Sequence, residues 1–372
     1  MATPSIVIAG YYGFENLGDE IILAVLVCYL KQAFPRHSLI VLSENPHLTS
    51  ARYQVESISR WNFAQIHQAI RQSAAFVLGG GGLLQDKTSQ KSLWYYLGLM
   101  RTAQFCRKPI FLLGQGIGPL NRPFSKRLLS AVLKNTTLIQ LRDLESFLEV
   151  RALGLDENKL LLGNDLALLS RKLFWDAVEL EQANTRKHIT IVPRAGLDRE
   201  VLTSLSANLD TIAQKHDLDI MIVPFFKRED LSIANALAKM MKADVVIATD
   251  LARDSSKIWN LLASSELIVG MRLHSLILAL AASVPFVGIS YDPKMEKFVK
   301  NVEKVTQLTL PVWPLKKLNS GQINSDIGEV IKFWNGQKSK LANARDQLVE
   351  NASLTLTQAL DMMRQVIIKS TQ

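Results

Sequence analysis

The segment Glu266 to Lys294, ELIVGMRLHSLILALAASVPFVGISYDPK, most constrains what this chain can fold into. A short apolar run, Leu267 to Val269, breaks at Gly270, and a helical pattern then starts on Arg272 and His274 and stays apolar through Ala282. Pro285 ends that helix, a second apolar run reaches Ile289, and the chain emerges as Ser290-Tyr291-Asp292-Pro293-Lys294. Strand, helix and strand in so short a span form a βαβ unit, and both strands read as buried members of a parallel sheet. Open parallel sheets bind ligands where the carboxyl ends of strands meet the amino ends of helices. Arg272, His274 and Lys294 all fall at that edge. Two cations and a proton-transfer group together suit a small anion.

With 372 residues the chain exceeds one ordinary core and suits two domains. Hydrophobic content of 48% and charged content of 21% describe a globular protein, and a net charge of +9 favours anionic partners. The positive charge is dispersed, with no lysine/arginine block and no basic aromatic strand, which argues against nucleic acid. Cys28 and Cys106 sit in apolar helical runs and read as buried free thiols, without metal-ligand spacing. MATPSIVIAG lacks the basic region of a signal peptide, and the longest apolar run is too short to span a bilayer. A cytoplasmic location follows as the expectation, with room for peripheral contact with the inner face of a membrane.

The same strand-to-helix grammar recurs along the chain. Ser5 to Ala9 reads as a buried strand, followed by Gly10-Tyr-Tyr-Gly-Phe-Glu-Asn-Leu-Gly-Asp-Glu20 and a helix to about Phe34. Glycines 10, 13 and 18 allow either a tight turn or a close approach to a ligand, and Asn16 and Asp19 are polar groups at the helix start. Leu39 to Ser43 is a second strand and Asn62 to Gln72 a helix. Ala75 to Leu78 runs into Gly79, Gly80, Gly81 and Gly82, where four consecutive glycines suggest that backbone approaches a ligand. Trp94, Tyr95 and Tyr96 on the next helix read as core packing. Pro109 to Leu113 ends in Gly114-Gln115-Gly116-Ile117-Gly118-Pro119, the third glycine-rich loop. Arg142 follows the strand Thr137 to Gln140, and a helix-start ion pair with Asp143 or Glu145 competes with a binding role. Asn164-Asp165 closes this half after the strand Lys159 to Leu162.

The polar stretch from about Ser170 to Lys187 reads as an interdomain connection. The second half restarts at Ile189 to Val192, followed by Pro193-Arg194, with further strands at Asp219 to Pro224, Val245 to Ile247, Leu267 to Val269 and Pro285 to Ile289. From about Ser320 the pattern is mostly helical. The expected organisation is an α/β chain of two Rossmann-like doubly wound domains, residues 1–175 and 186–320, with C-terminal helices over 321–372 bracing them.

Taken together, these motifs resemble the polysaccharide pyruvyl transferase family, nearest to its bacterial CsaB-type enzymes. The carrying residues are Gly10 to Glu20, Gly79 to Gly82, Gly114 to Pro119, Leu141 to Asp143, Gly163 to Asp165, Gly270 to Ser275 and Ser290 to Lys294. The resemblance implies a GT-B-like fold and transfer of the enolpyruvyl unit of phosphoenolpyruvate to a sugar. The product would be a cyclic pyruvate ketal, with phosphate released and no cofactor or metal required. It further implies a lipid-linked, N-acetylmannosamine-containing cell-wall acceptor, whose ketal anchors surface-layer proteins. By the same resemblance Arg142, His274 and Lys294 are catalytic, and Arg272 and Arg194 bind the donor. Leu273, Gly13, Asn16, Gly18, Asp19, Gly80, Gly81, Gly82, Gln115 and Asp165 complete the expected substrate-binding set. Two other readings share the glycine loops: a nucleotide-sugar glycosyltransferase and a non-catalytic binder of anionic glycans.

Overall fold

The computed structural model describes residues 4–87, 89–178, 187–249, 255–291, 293–315, 332–334 and 336–371. Two compact units emerge: Met1–Phe14 with Asp19–Leu166 and Val349–Gln372, and Glu15–Gly18 with Ala167–Leu348. The short segment Glu15–Gly18 therefore belongs with the second unit, although it sits in the first glycine-rich motif.

The first unit is built on strands β1 Ser5–Ala9, β2 Ser38–Ser43, β3 Glu56–Ser59, β4 Ala75–Leu78, β5 Gly81–Leu84, β6 Ile110–Ile117, β7 Leu138–Leu141 and β8 Leu160–Leu162. They lie in the order β3-β2-β1-β4-β6-β7-β8, with β5 paired to β6, and the pairings are parallel. Strands β1, β4 and β6 are buried along their whole length, as apolar runs covered on both faces must be. Between them run helices α1 Leu17–Ala33, α2 Pro46–Tyr53, α3 Phe63–Gln72, α4 Gln90–Phe105, α5 Pro123–Leu133 and α6 Leu144–Ala152.

The second unit carries β9 His188–Val192, β10 Asp219–Ile222, β11 Val245–Ile247, β12 Ser265–Gly270, β13 Phe286–Ser290 and β14 Val312–Pro314, in the order β11-β10-β9-β12-β13-β14. Its helices are α7 Ser170–Val178, α8 Arg199–His216, α9 Lys227–Met240, α10 Ser255–Ala263, α11 Leu273–Ala282 and α12 Pro293–Thr306. A last helix, α13, spans Lys338–Thr371. Both sheets reverse direction beside their first strand, between β1 and β4 and between β9 and β12. Such a switch point is where a doubly wound sheet opens a ligand crevice.

Several local expectations change. Ser170–Val178 is helix and not linker, and Phe174 packs toward Trp259 with ring centroids 6.5 Å apart. The remainder of the expected connection, 179–186, and residues 321–331 and 335 of the expected C-terminal helical segment lie outside the described residues. Strand β6 does not stop at Leu113 but continues through Gly114, Gln115 and Gly116, and β5 begins inside the glycine run. Gly81 and Gly114 have positive φ (+114° and +70°) and lie where the pairing of β5 with β6 and of β6 with β7 shifts register, a backbone that glycine adopts most readily. Helix α2 and strand β3 had no counterpart in the sequence reading, because a polar eight-residue helix and a four-residue strand, Glu56–Ser59, carry almost no periodic signal.

Candidate active site

In the second unit the chemistry collects at the carboxyl ends of the adjacent strands β9, β12 and β13. Arg194 follows β9, Arg272 and His274 follow β12, and Tyr291 and Lys294 follow β13. Helix α11 starts at Leu273, with Arg272 as its N-cap residue and no side chain capping its first N–H groups. The amino end of a helix carries a partial positive charge suited to an anion.

Arg272 is not a free cation. Its Nε donates to Asp230 Oδ2 at 3.0 Å, and its Nη2 reaches Asp230 Oδ1 at 2.5 Å and Glu229 Oε2 at 2.9 Å. Burial works against the charge, but the hydrogen bond and field of Asp230, then Glu229, outweigh it and raise the guanidinium's pKa. Asp230 is fully buried and also accepts the backbone N–H of Ala195 at 3.1 Å and of Phe226 at 2.9 Å. One carboxylate thus ties together the chain after β9, after β10 and after β12. Asp230 was missed by sequence reasoning. The only trace it leaves there is a carboxylate in the first turn of the helix after β10.

Arg194 differs. It forms no ion pair with a described residue, its Nε is buried without a hydrogen-bond partner, and its guanidinium stacks 3.6 Å from the Tyr291 ring centroid. His274 is half-buried in the first turn of α11, and its ring lies against Gly18: a Cβ on that glycine would collide with the imidazole. Asn16 forms an antiparallel bridge with Phe226, and Leu17 N donates to Phe225 O at 2.8 Å. Asn16 and Gly18 are therefore brought to Phe226 and His274, far away in sequence. Lys294 opens α12 and Leu273 opens α11, both half-buried.

The first unit gathers the remaining residues. Arg142 is buried; its Nη1 donates to Asp165 Oδ2 at 2.9 Å and its Nε to Asp143 Oδ2 at 3.3 Å. Burial opposes its charge, while Asp165 and then Asp143 more than restore it. The guanidinium lies over Gly116, where any Cβ would strike it at 2.5 Å. The helix-start pair expected with Asp143 is present, and Asp165 is the stronger partner. Gln115 is fully buried and its Nε2 donates to Gly79 O.

The glycines meet protein rather than open space. A Cβ on Gly79 or on Gly10 would collide with the Tyr12 ring, one on Gly80 would sit 3.1 Å from Gly114 O, and one on Gly81 3.2 Å from Asp19 Oδ1. Gly13, at φ +79°, would strike Ser43, and its N–H donates to Glu20 Oε1 at 2.8 Å. Gly82 is half-buried. Internal packing is thus a sufficient reason for the missing side chains at 10, 13 and 79, whereas a Cβ at 80 or 81 would meet only tight contacts.

The polysaccharide pyruvyl transferase family model matches residues 16–293, a span that holds Asn16, Arg142, Arg194, His274 and Pro293. The chain belongs to the polysaccharide pyruvyl transferase family. A curated relative, the amylovoran biosynthesis protein AmsJ of Erwinia amylovora, is 22% identical over 306 residues, covering 76% of this chain and 71% of that one. Among solved structures, the S. aureus MnaA–UDP complex has a TM-score of 0.66 at 12% identity and covers 92% of each chain. Anabaena HepE in complex with UDP-glucose has a TM-score of 0.58 at 12% identity, covering 97% of this chain and 99% of that one. At such identities the likeness concerns the fold, so this pyruvyl transferase family member has the two parallel-sheet α/β units of GT-B-type proteins. Among its described residues no helix is long and apolar enough to cross a membrane.

Proposed function

We propose that the protein transfers the enolpyruvyl unit of phosphoenolpyruvate to two hydroxyls of one sugar, forming a cyclic ketal and releasing phosphate. The observation that carries this reading is Arg194: a guanidinium without a carboxylate partner among the described residues, at the switch point of the second unit, where His274 and the amino end of α11 also lie. Phosphoenolpyruvate presents a carboxylate and a phosphate on neighbouring carbons, which suits a planar guanidinium fork, an ammonium and helix N–H groups together. Arg194 and Lys294 take the donor's charges, and Arg272, locked by Asp230, holds the strand-end loops in place.

The chemistry assigned to His274 follows from the bonds that change. Protonation of the donor's vinyl CH2 makes its central carbon electrophilic, one sugar hydroxyl adds there, and phosphate leaves as the second hydroxyl closes the ring. One hydroxyl proton ends on the new methyl group and the other on phosphate. An imidazole, whose two ring nitrogens can give and accept a proton, can move both. The donor is assigned to the second unit and the sugar to the first. The acceptor is a cell-wall or exopolysaccharide precursor, with a lipid-linked N-acetylmannosamine-containing glycan as the first candidate.

A nucleotide-sugar transfer is the competing reading, favoured by the complexes with UDP and UDP-glucose of two similar structures. Incubating the protein with phosphoenolpyruvate and glycan acceptors, in parallel with UDP-sugars, and following phosphate or UDP release distinguishes them. Phosphate release that depends on acceptor and falls about 100-fold or more in His274→Ala is the expected result. UDP release without phosphate release would overturn the proposal.

A further inference from the structure

Arg60 stands at the carboxyl end of β3 and is only 5% exposed, yet no described carboxylate pairs with it. Its Nη1 points to Gly10 O at 3.4 Å and its Nε is buried without a hydrogen-bond partner. Rings supply the compensation. The guanidinium carbon lies 4.4 Å from the Tyr95 centroid, 4.9 Å from Phe14, 5.3 Å from Trp61 and 5.8 Å from Tyr96. Burying a cation away from water without a counter-ion is costly, and the negative faces of aromatic rings offset only part of that cost. Such an arrangement fixes the rings around it.

The rings so fixed are not all hidden. Trp61 is 57% exposed, and Tyr11, Phe14 and Tyr95 are half-buried. Each is held in place. Trp61 Nε1 donates to Glu44 Oε2 at 2.8 Å, Tyr95 Oη donates to Arg60 O at 3.0 Å, and Tyr11 stacks on Phe14 with centroids 4.0 Å apart. Trp61 and Tyr95 are 5.7 Å apart and tilted by 52°. An indole left in water forgoes the stabilisation that burial would give it, and this one is immobilised as well. Rigid aromatic faces beside polar groups, at the ligand edge of a parallel sheet, are features of a recognition surface.

We infer that the cluster of Tyr11, Phe14, Trp61 and Tyr95, assembled on Arg60, is a saccharide-binding platform that takes one pyranose ring of the acceptor glycan on the exposed face of Trp61. The axial C–H groups of a sugar carry partial positive charge and meet the negative face of the indole, while the ring's hydroxyls are left to Glu44 and water. This rests on the proposed function insofar as it makes the saccharide the acceptor and the first unit its holder.

The test is Trp61→Ala in the full-length protein, with Phe105→Ala, 83% exposed in the same unit, as the control. The probe is a soluble N-acetylmannosamine-containing oligosaccharide, measured both as acceptor in turnover and by calorimetry without phosphoenolpyruvate. Loss of one sugar–aromatic stack raises the acceptor KM and Kd about tenfold, with kcat and the phosphoenolpyruvate KM within about twofold of wild type. Unchanged acceptor KM and Kd in Trp61→Ala would overturn the platform and leave the proposed function standing. If the wild-type protein releases no phosphate but Trp61→Ala still loses glycan binding, the proposed function falls and the platform stands. Trp61-dependent binding of UDP, with none of the glycan, would overturn the inference by making the surface a base-stacking site.

Discussion

Replacing Asp230 with asparagine tests whether one buried carboxylate organises the second unit's ligand edge. Asp230 accepts four hydrogen bonds: from Ala195 N at 3.1 Å, Phe226 N at 2.9 Å, Arg272 Nε at 3.0 Å and Arg272 Nη2 at 2.5 Å. The amide keeps the shape but loses the charge, and it turns an NH2 group toward donors. Breaking a buried ion pair from one side costs about 3–5 kcal/mol. The side chain of Arg272 keeps 18% of its surface in water, which relieves part of its loss, so the lower end applies. About 3 kcal/mol corresponds to a fall of roughly 6–12 °C in Tm for a unit of this size. Because the Ala195 N–H is released as well, the loop carrying Arg194 loosens and the phosphoenolpyruvate KM rises about tenfold. Differential scanning fluorimetry and phosphate-release kinetics read the two effects. The double variant Asp230→Leu/Arg272→Met removes both charges, so it should regain much of the stability without regaining donor affinity. A single Asp230→Asn variant melting within about 2 °C of wild type, with unaltered donor KM, would refute the reasoning.

Two further outcomes are expected. Gly18→Ala places a methyl where the His274 ring lies, so it should lower kcat at least tenfold while phosphoenolpyruvate binding by calorimetry stays near wild type; equal losses in both would show that Gly18 supports the fold instead. Asp86 accepts from Asn121 N at 2.7 Å and Arg122 N at 3.0 Å; burial pushes its carboxyl up, but these N–H groups hold it below the usual carboxylate range. Its stabilisation is therefore complete above the unfolded value of about 3.9 and disappears as pH falls through the lower folded value. Melting curves of wild type and Asp86→Asn should be well separated at neutral pH and converge in strong acid, and a gap independent of pH would contradict the assignment.

The two sheets were legible in the sequence because their central strands are continuous apolar runs punctuated by glycine, such as Ile6 to Ala9 and Leu267 to Val269, which admit almost no other reading. Edge elements were not. Strand β3 carries Glu56 and Ser57, is at most half-buried at its other positions, and so shows no apolar signature. With β3 went Arg60, whose position at a strand end is what gives it meaning. The site was legible as a set of residue types: His274, Arg194 and Lys294 do follow neighbouring strands. What a sequence leaves open is how a glycine is used. Gly79 and Gly18 suggest bare backbone for a ligand, whereas Tyr12 and His274 already fill the spaces where their side chains would stand. Contacts between residues so distant in sequence leave no local spacing to detect.

The same limit applies to charge. Arg142, Arg194 and Arg272 look alike in sequence, each a cation just past a strand, yet the fold divides them by partner. Arg142 and Arg272 each face two carboxylates within 3.3 Å, so their fields are largely spent inside the protein, where they hold strand-end loops together. Arg194 and Arg60 face rings instead. A ring offers a cation attraction without neutralising it, so the field of each of these two arginines still extends to whatever binds beside it. One of them lies at the carboxyl edge of each sheet, beside Tyr291 in the second unit and beneath Trp61 in the first. A reaction that joins an anionic donor to a polar glycan needs a positive field at the donor and rigid apolar faces at the sugar. The two ring-backed arginines supply them in separate units. What marks the proposed two-substrate transferase is which cations lack a carboxylate partner among the described residues, more than how many cations the chain contains.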